Sequence, residues 1–139
     1  MSWRNKFGVF LLVTLTLFVA SSVESRPRRM QRLSTSSWGG PNIRMEVGAR
    51  TTRIEYSCAN STIAGPLTFD SKGRFTWHGD YYREGPGPVR ADATSDRVTY
   101  TGTVKGDTMT LTVKLAGSSD ALDTFTLKRG GIGRVFKCK

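Results

Sequence analysis

From Ile43 onward, apolar and polar residues alternate with a period of two in one segment after another. Ile43, Met45 and Val47 alternate with Arg44 and Glu46, and Ile54, Tyr56 and Cys58 alternate with Arg53, Glu55 and Ser57. Ile63, Leu67 and Phe69 fall on one side of the next predicted strand. Phe75, Trp77 and Tyr81 then oppose Arg74, Thr76, His78 and Asp80. The run "RVTYTGTVKGDTMTLTVKL" sets Val98, Tyr100, Val104, Met109, Leu111, Val113 and Leu115 against a face made almost wholly of threonine. Phe125 and Leu127 follow, then Val135 and Phe136. Alternation of this kind over about four to eight residues marks a strand with one buried face and one wet face.

The connections support the same reading. "DSKG" at 70–73 reads as a short hairpin turn. "KGDT" at 105–108 places Gly106 first in a two-residue loop, the pattern of a type II′ turn. "RGGIGR" at 129–134 reads as a further turn, and no segment shows helical periodicity. About eight short strands with tight turns predict an all-β domain. Sequential hairpins favour a single antiparallel up-and-down barrel, with a β-sandwich as the alternative. A barrel of that size is just wide enough to be filled by its own side chains or to hold one small ligand. The abundance of large inward residues favours filling.

The first 25 residues stand apart from this pattern. Arg4 and Lys6, the apolar "FGVFLLVTLTLFVA" and the small polar "SSVES" have the order of a secretory signal peptide, with cleavage after Ser21, Ser22 or Ser25. The apolar run is shorter than the roughly 20 residues of a membrane span. Residues 26–37, "RPRRMQRLSTSS", are basic and without period, and read as a flexible arm. The barrel domain is then 38–139. Export makes a bridge between Cys58 and Cys138 the expectation, because disulfides persist in such compartments. The net charge of +10 becomes +9 once Arg4, Lys6 and Glu24 depart. Four of those positives, Arg26, Arg28, Arg29 and Arg32, lie in the arm and suit an anionic surface such as a membrane or envelope polymer. Nucleic acid is a poor partner, since the arm interleaves no aromatic residues with its charges.

The chemistry-bearing residues give little support to catalysis. His78 is the single histidine and lies on the polar face of its strand, with no Gly-x-Ser-x-Gly elbow in the chain. Glu46 and Glu55 stand on outward faces beside Arg44 and Arg53, as in a cross-strand charge ladder. Metal binding needs several convergent ligands, which one histidine and two bridged cysteines do not supply, so no metal or other cofactor is expected. "KRGGIGR" at 128–134 lacks the spacing of a phosphate loop. The threonine face, continued by Thr124 and Thr126, reads as an ordinary wet face, because threonine suits any exposed strand and twist spoils a flat hydroxyl lattice. Asn60-Ser61-Thr62 is a glycosylation acceptor that matters in a eukaryotic host. The candidate binding region is residues 83–96, "REGPGPVRADATSD", an aperiodic stretch reached through aromatic residues and able to lid a barrel mouth. The candidate binding residues are Trp77, His78, Tyr81 and Tyr82, on the strand that leads into it, and Arg83 and Arg90 within it.

"IEYSCANSTIAGPLTFDSKGRFTWHGDYY", "YTGTVKGDTMTLTVKL" and "DTFTLKRGGIGRVFKC" together resemble a family of small exported bacterial proteins of unknown function. The resemblance spans about residues 43–138 and implies export and an all-β fold, but no activity. The architecture is also similar to lipocalin-like and avidin-like barrels. Their first-strand Gly-x-Trp is replaced here by "WGG" at 38–40, so no ligand carries over. The sequence therefore predicts a secreted or periplasmic non-enzymatic binding protein, whose partner is a small apolar ligand, a secreted protein or an anionic surface. An inhibitor of a secreted hydrolase is the alternative.

Overall fold

A computed structural model describes residues 25–88 and 90–138. The predicted signal peptide, except Ser25, lies outside the described residues. The strands are β1 (Gln31–Arg32), β2 (Ser36–Gly40), β3 (Ile43–Val47), β4 (Thr51–Tyr56), β5 (Ala59–Ala64), β6 (Thr68–Phe69), β7 (Arg74–Arg83), β8 (Asp96–Lys105), β9 (Thr108–Leu115) and β10 (Ala121–Arg129). Eight of them close an antiparallel barrel in the order β10-β2-β3-β4-β5-β7-β8-β9, and β1 pairs with β6 outside it. The barrel is therefore the up-and-down meander that the alternation predicts. Gly106 has φ of 57° between Lys105 and Thr108, as the predicted turn requires.

Three stretches differ from the sequence reading. Val135 and Phe136 form no strand, and the remaining stave is β2, within "SSWGG". Trp38 is its one large apolar residue and glycines follow it, so no period appears. Register with β3, from Ser36 opposite Val47 to Gly40 opposite Ile43, makes it a strand. The predicted flexible arm is shorter than 26–37. Gln31 and Arg32 pair with Phe69 and Thr68, Leu33 is buried, and Ser36 and Ser37 belong to the barrel. A single apolar anchor, Leu33, draws that segment onto the fold, and its N–H donates to the Leu67 carbonyl at 2.8 Å. Finally, Ile63, Leu67 and Phe69 do not share a strand. Gly65, at φ 83°, and Pro66 bend the chain, so that Leu67 and β6 fold across one end of the barrel. Asp70 then reverses the chain into β7 by accepting from the Lys72 and Arg74 N–H groups at 2.9 and 2.8 Å. Those bonds, the Arg74 N–H first, hold the Asp70 carboxyl below its usual range.

The two ends of the barrel are unlike. One carries the β3–β4 and β8–β9 turns, and Leu33, Leu67 and β6 close it. There Trp77 is buried, its ring stacked on Phe75 at 3.7 Å and its indole N–H donating to the Thr68 carbonyl at 2.8 Å. The middle is filled by Trp38, Met45, Ile54, Tyr100, Met109 and Leu111, all fully buried. The interior also holds two small polar residues, Thr52 and Ser61. The other end carries the β2–β3, β4–β5, β7–β8 and β9–β10 turns and stays open.

After β10 the chain makes the predicted turn, but no strand follows it. It turns at Gly130, φ 67°, and runs back over the outer face of β2 toward the open end. A Cβ on Gly39 would strike the backbone of Gly131 and Gly133, and one on Gly133 would strike the Ile43 carbonyl. Glycine at these positions is what lets two backbones lie this close. The segment ends in a disulfide between Cys138 and Cys58, with Cα atoms 4.9 Å apart.

Candidate functional site

The open end of the barrel holds a cup of about 380 Å³. Its wall comes from Tyr56 and Ser57 at the end of β4, Tyr81 on β7 and Val113 on β9. Leu122, Asp123 and Phe125 of β10 continue it, and Asn42 and Phe136 complete the rim. The local cause is the seam between β10 and β2. It is paired only at Lys128–Gly39 and Arg129–Trp38, so the upper part of β10 has no strand beside it on that side. A bulge between Ala121 and Asp123 reshapes the rim further. Bulges at barrel rims commonly re-aim side chains in this way. Here Asp123 lies opposite Val113, on the inward face.

Aromatic rings form one wall of the cup. Tyr56 packs against Tyr81 at 5.5 Å and against Phe125 at 5.4 Å, tilted by 47° and 39°. Phe136 at the rim is 66% exposed and Leu122 is 41% exposed, so this wall continues onto the surface. Phe136 is held by its backbone N–H donating to Ser57 Oγ at 3.2 Å and by the neighbouring disulfide. Lys137 pairs with Glu84 at 3.5 Å, and Glu84 also accepts from the Asn60 side-chain amide at 3.0 Å.

From Tyr56 a chain of hydroxyls runs into the buried interior. Tyr56 donates to the Tyr100 hydroxyl at 3.2 Å, and Tyr100 donates to Ser61 Oγ. Burial pushes the Tyr56 hydroxyl far above the ordinary phenol range, and it raises Tyr100 as well. Tyr81 is raised chiefly by burial, with Arg83 opposing and the carboxylates of Asp123 and Asp96 adding to it. All three phenols are therefore neutral, and those of Tyr56 and Tyr100 serve as hydrogen-bonding groups. Replacing Tyr100 with phenylalanine leaves Tyr56 and Ser61 without their buried partner. The expected cost is about 1–3 kcal/mol in chemical denaturation, and a change below about 0.5 kcal/mol would show that water enters to replace the hydroxyl.

The residues singled out in the sequence do not form one site. Tyr81 lines the cup. Trp77 does not, because it points into the closed end as part of the core. His78 faces outward, with Nδ1 3.3 Å from the Thr99 hydroxyl. Tyr82 is half-buried on the outer face opposite Asn60. Arg83 pairs with Asp96 at 3.7 Å at the base of the loop, and Arg90 is exposed within it. No described residue between Glu84 and Ser95 lines the cup, so the rim expected from the loop comes instead from the C-terminal segment. Sequence reasoning misses Tyr56, Asp123, Phe125 and Phe136 as site residues. Alternation marks the first three only as inward or outward, and it places Phe136 in a strand.

The remaining candidates are engaged elsewhere. Arg44 pairs with Glu55 at 3.7 Å, and Glu46 lies directly opposite Arg53, as a charge ladder requires. Around 128–134, Lys128 binds the Thr108 hydroxyl and Arg129 pairs with Asp107, so these side chains do not converge on an anion. The threonine face is bonded to itself in part, with Thr112 and Thr124 hydroxyls 3.0 Å apart. Arg26, Arg28 and Arg29 are exposed, and Arg28 and Met30 lie along a groove beside Thr76, Thr101 and Thr103. Arg32 is tied down through the Ala49 carbonyl at 2.8 Å. In the glycosylation sequence Asn60 is half-buried within β5 and Ser61 is buried. Among the described residues no group of three or more His, Cys, Asp or Glu side chains gathers to hold a metal ion. No described helix is long and apolar enough to cross a membrane.

Comparison with known proteins adds no identity to this geometry: no family model, curated protein or solved structure matches the chain.

Proposed function

We propose that this protein is an exported, non-enzymatic binding protein that takes a small, largely apolar ligand in the cup at the open end of its barrel. The observation that carries this reading is the cup itself, about 380 Å³ and walled by Tyr56, Tyr81, Val113 and Phe125. Small-molecule sites are typically concave, mostly apolar spaces of roughly 300–1,000 Å³ with a few placed polar groups. Export is supported by the leader pattern and by the disulfide.

The test is titration of the oxidised protein with aminoanthracene, a neutral planar fluorophore, followed by emission. Saturable one-to-one binding is expected. Tyr81→Ala together with Phe136→Ala should weaken it about tenfold, since each aromatic contact contributes roughly 0.5–1.5 kcal/mol. Both residues are partly or largely exposed, so the fold should survive their loss. Absence of saturable binding, or binding indifferent to both changes, would reject the cup as the site.

A further inference from the structure

The net charge of +10 suggests an anion-binding protein, but the cup is different. Of the residues lining it, only Asp123 carries a formal charge, and that charge is negative. Asp123 is exposed and makes no ion pair among the described residues. Its carboxylate accepts only from the next N–H, that of Thr124, at 2.7 Å. No basic side chain lines the cup, and Arg83 and Lys137 at this end of the barrel pair with Asp96 and Glu84.

The same cup is lined by the rings of Tyr56, Tyr81 and Phe125: Tyr56 packs against Tyr81 at 5.5 Å and against Phe125 at 5.4 Å, and Phe125 is Asp123's neighbour on the inward face of β10. Ring faces attract a cation held within about 6 Å of the centroid, and the attraction grows as the cation is desolvated. A cup that combines an aromatic wall with one carboxylate free of ion pairs among the described residues suits a cation with apolar substituents. An inorganic ion would need more oxygen ligands than this cup supplies. An anion would meet the Asp123 charge without a basic partner.

We infer that the cup selects an organic cation of the substituted-ammonium class, with its charge set between Asp123 and the Tyr56–Tyr81–Phe125 wall. The inference rests on the proposed binding role and narrows its ligand. In this arrangement Phe136 covers the apolar part of the ligand at the rim, and the neutral hydroxyl of Tyr56 is a polar group in the lining.

The experiment compares choline with dimethylbutanol, its neutral isostere, which carries a tert-butyl group in place of trimethylammonium. Each is used to displace aminoanthracene from the oxidised full domain. Choline is expected to bind about tenfold or more tightly than dimethylbutanol. Asp123→Asn should remove most of that preference and leave dimethylbutanol binding unchanged. Equal binding of the two, or tighter binding of dimethylbutanol, overturns the inference and leaves the cup as an apolar site. If aminoanthracene enters and choline does not displace it, cation selection is likewise overturned while the cup stands. If none of the three binds, the proposed function falls and the inference falls with it.

Discussion

Replacing Cys138 with serine is expected to cost about 2–5 kcal/mol of stability and to lower Tm by roughly 10–20 °C. The bridge joins residues separated by 80 positions and closes a loop that holds five of the eight barrel strands, β5 and β7 to β10. On the chain-entropy account, releasing a loop of that length gives the unfolded chain about 4.5 kcal/mol of freedom. The native state also loses something specific. The segment from Gly130 to Cys138 is held to the barrel by close glycine contacts, by Phe136 N–H to Ser57, and by the bridge. Without the bridge Phe136 is no longer fixed at the rim, so aminoanthracene binding should weaken along with stability.

A companion change separates these effects from the local backbone. Cys58 has φ of 64°, a left-handed conformation that costs a side-chain-bearing residue roughly 1–2 kcal/mol. In the Cys138→Ser background, Cys58→Gly should therefore be more stable than Cys58→Ser by about 1 kcal/mol. Thermal and urea unfolding of the three forms measure both differences. A single serine variant within about 1 kcal/mol of the parent would mean that the glycine contacts alone hold the C-terminal segment.

Trp38→Ala should be equally severe, at about 3–5 kcal/mol. Trp38 is fully buried, and its indole N–H donates to Ser36 Oγ at 2.9 Å. The Arg129 guanidinium lies 4.5 Å above its ring. Arg129 is also Trp38's partner across the seam, one of only two paired positions that close the barrel there. Removing the indole therefore empties the core at the point where the barrel is least supported by backbone hydrogen bonds. Trp38→Phe keeps much of the buried area and loses the indole N–H bond, so about 1–2 kcal/mol is expected. Urea unfolding checks both. A cost below about 1 kcal/mol for Trp38→Ala would show that the β2–β10 seam is not part of the cooperative core.

Legibility in the sequence followed the strength of local patterning. β3, β4, β7, β8 and β9 could be read residue by residue, because strict alternation has one cheap solution: apolar side chains inward and polar side chains wet. The Arg44–Glu55 and Glu46–Arg53 positions were readable for the same reason, since cross-strand neighbours are fixed once register is fixed. β2 was not readable. "SSWGG" carries one large residue and two glycines, and its strand identity comes from pairing with β3. Period gives a face but not a depth, so it does not separate Trp77 from Tyr81. Trp77 and Tyr81 share the inward face of β7, yet one lies against the closed end and the other at the mouth.

By itself, the sequence determined the all-β class, the meander order, the side of each regular strand that is buried and the turn at Gly106. All of these follow from interactions between residues close in the chain or from the period of two. Only the tertiary structure decided which end of the barrel is open, that β6 and Leu33 close the other, and that Phe136 sits at the rim. It also decided that Asp123 lines one cup with Tyr56, Tyr81 and Phe125. Those placements depend on how the first and last strands meet and on a C-terminal segment lying over Gly39, contacts between residues some 90 positions apart that no local pattern encodes.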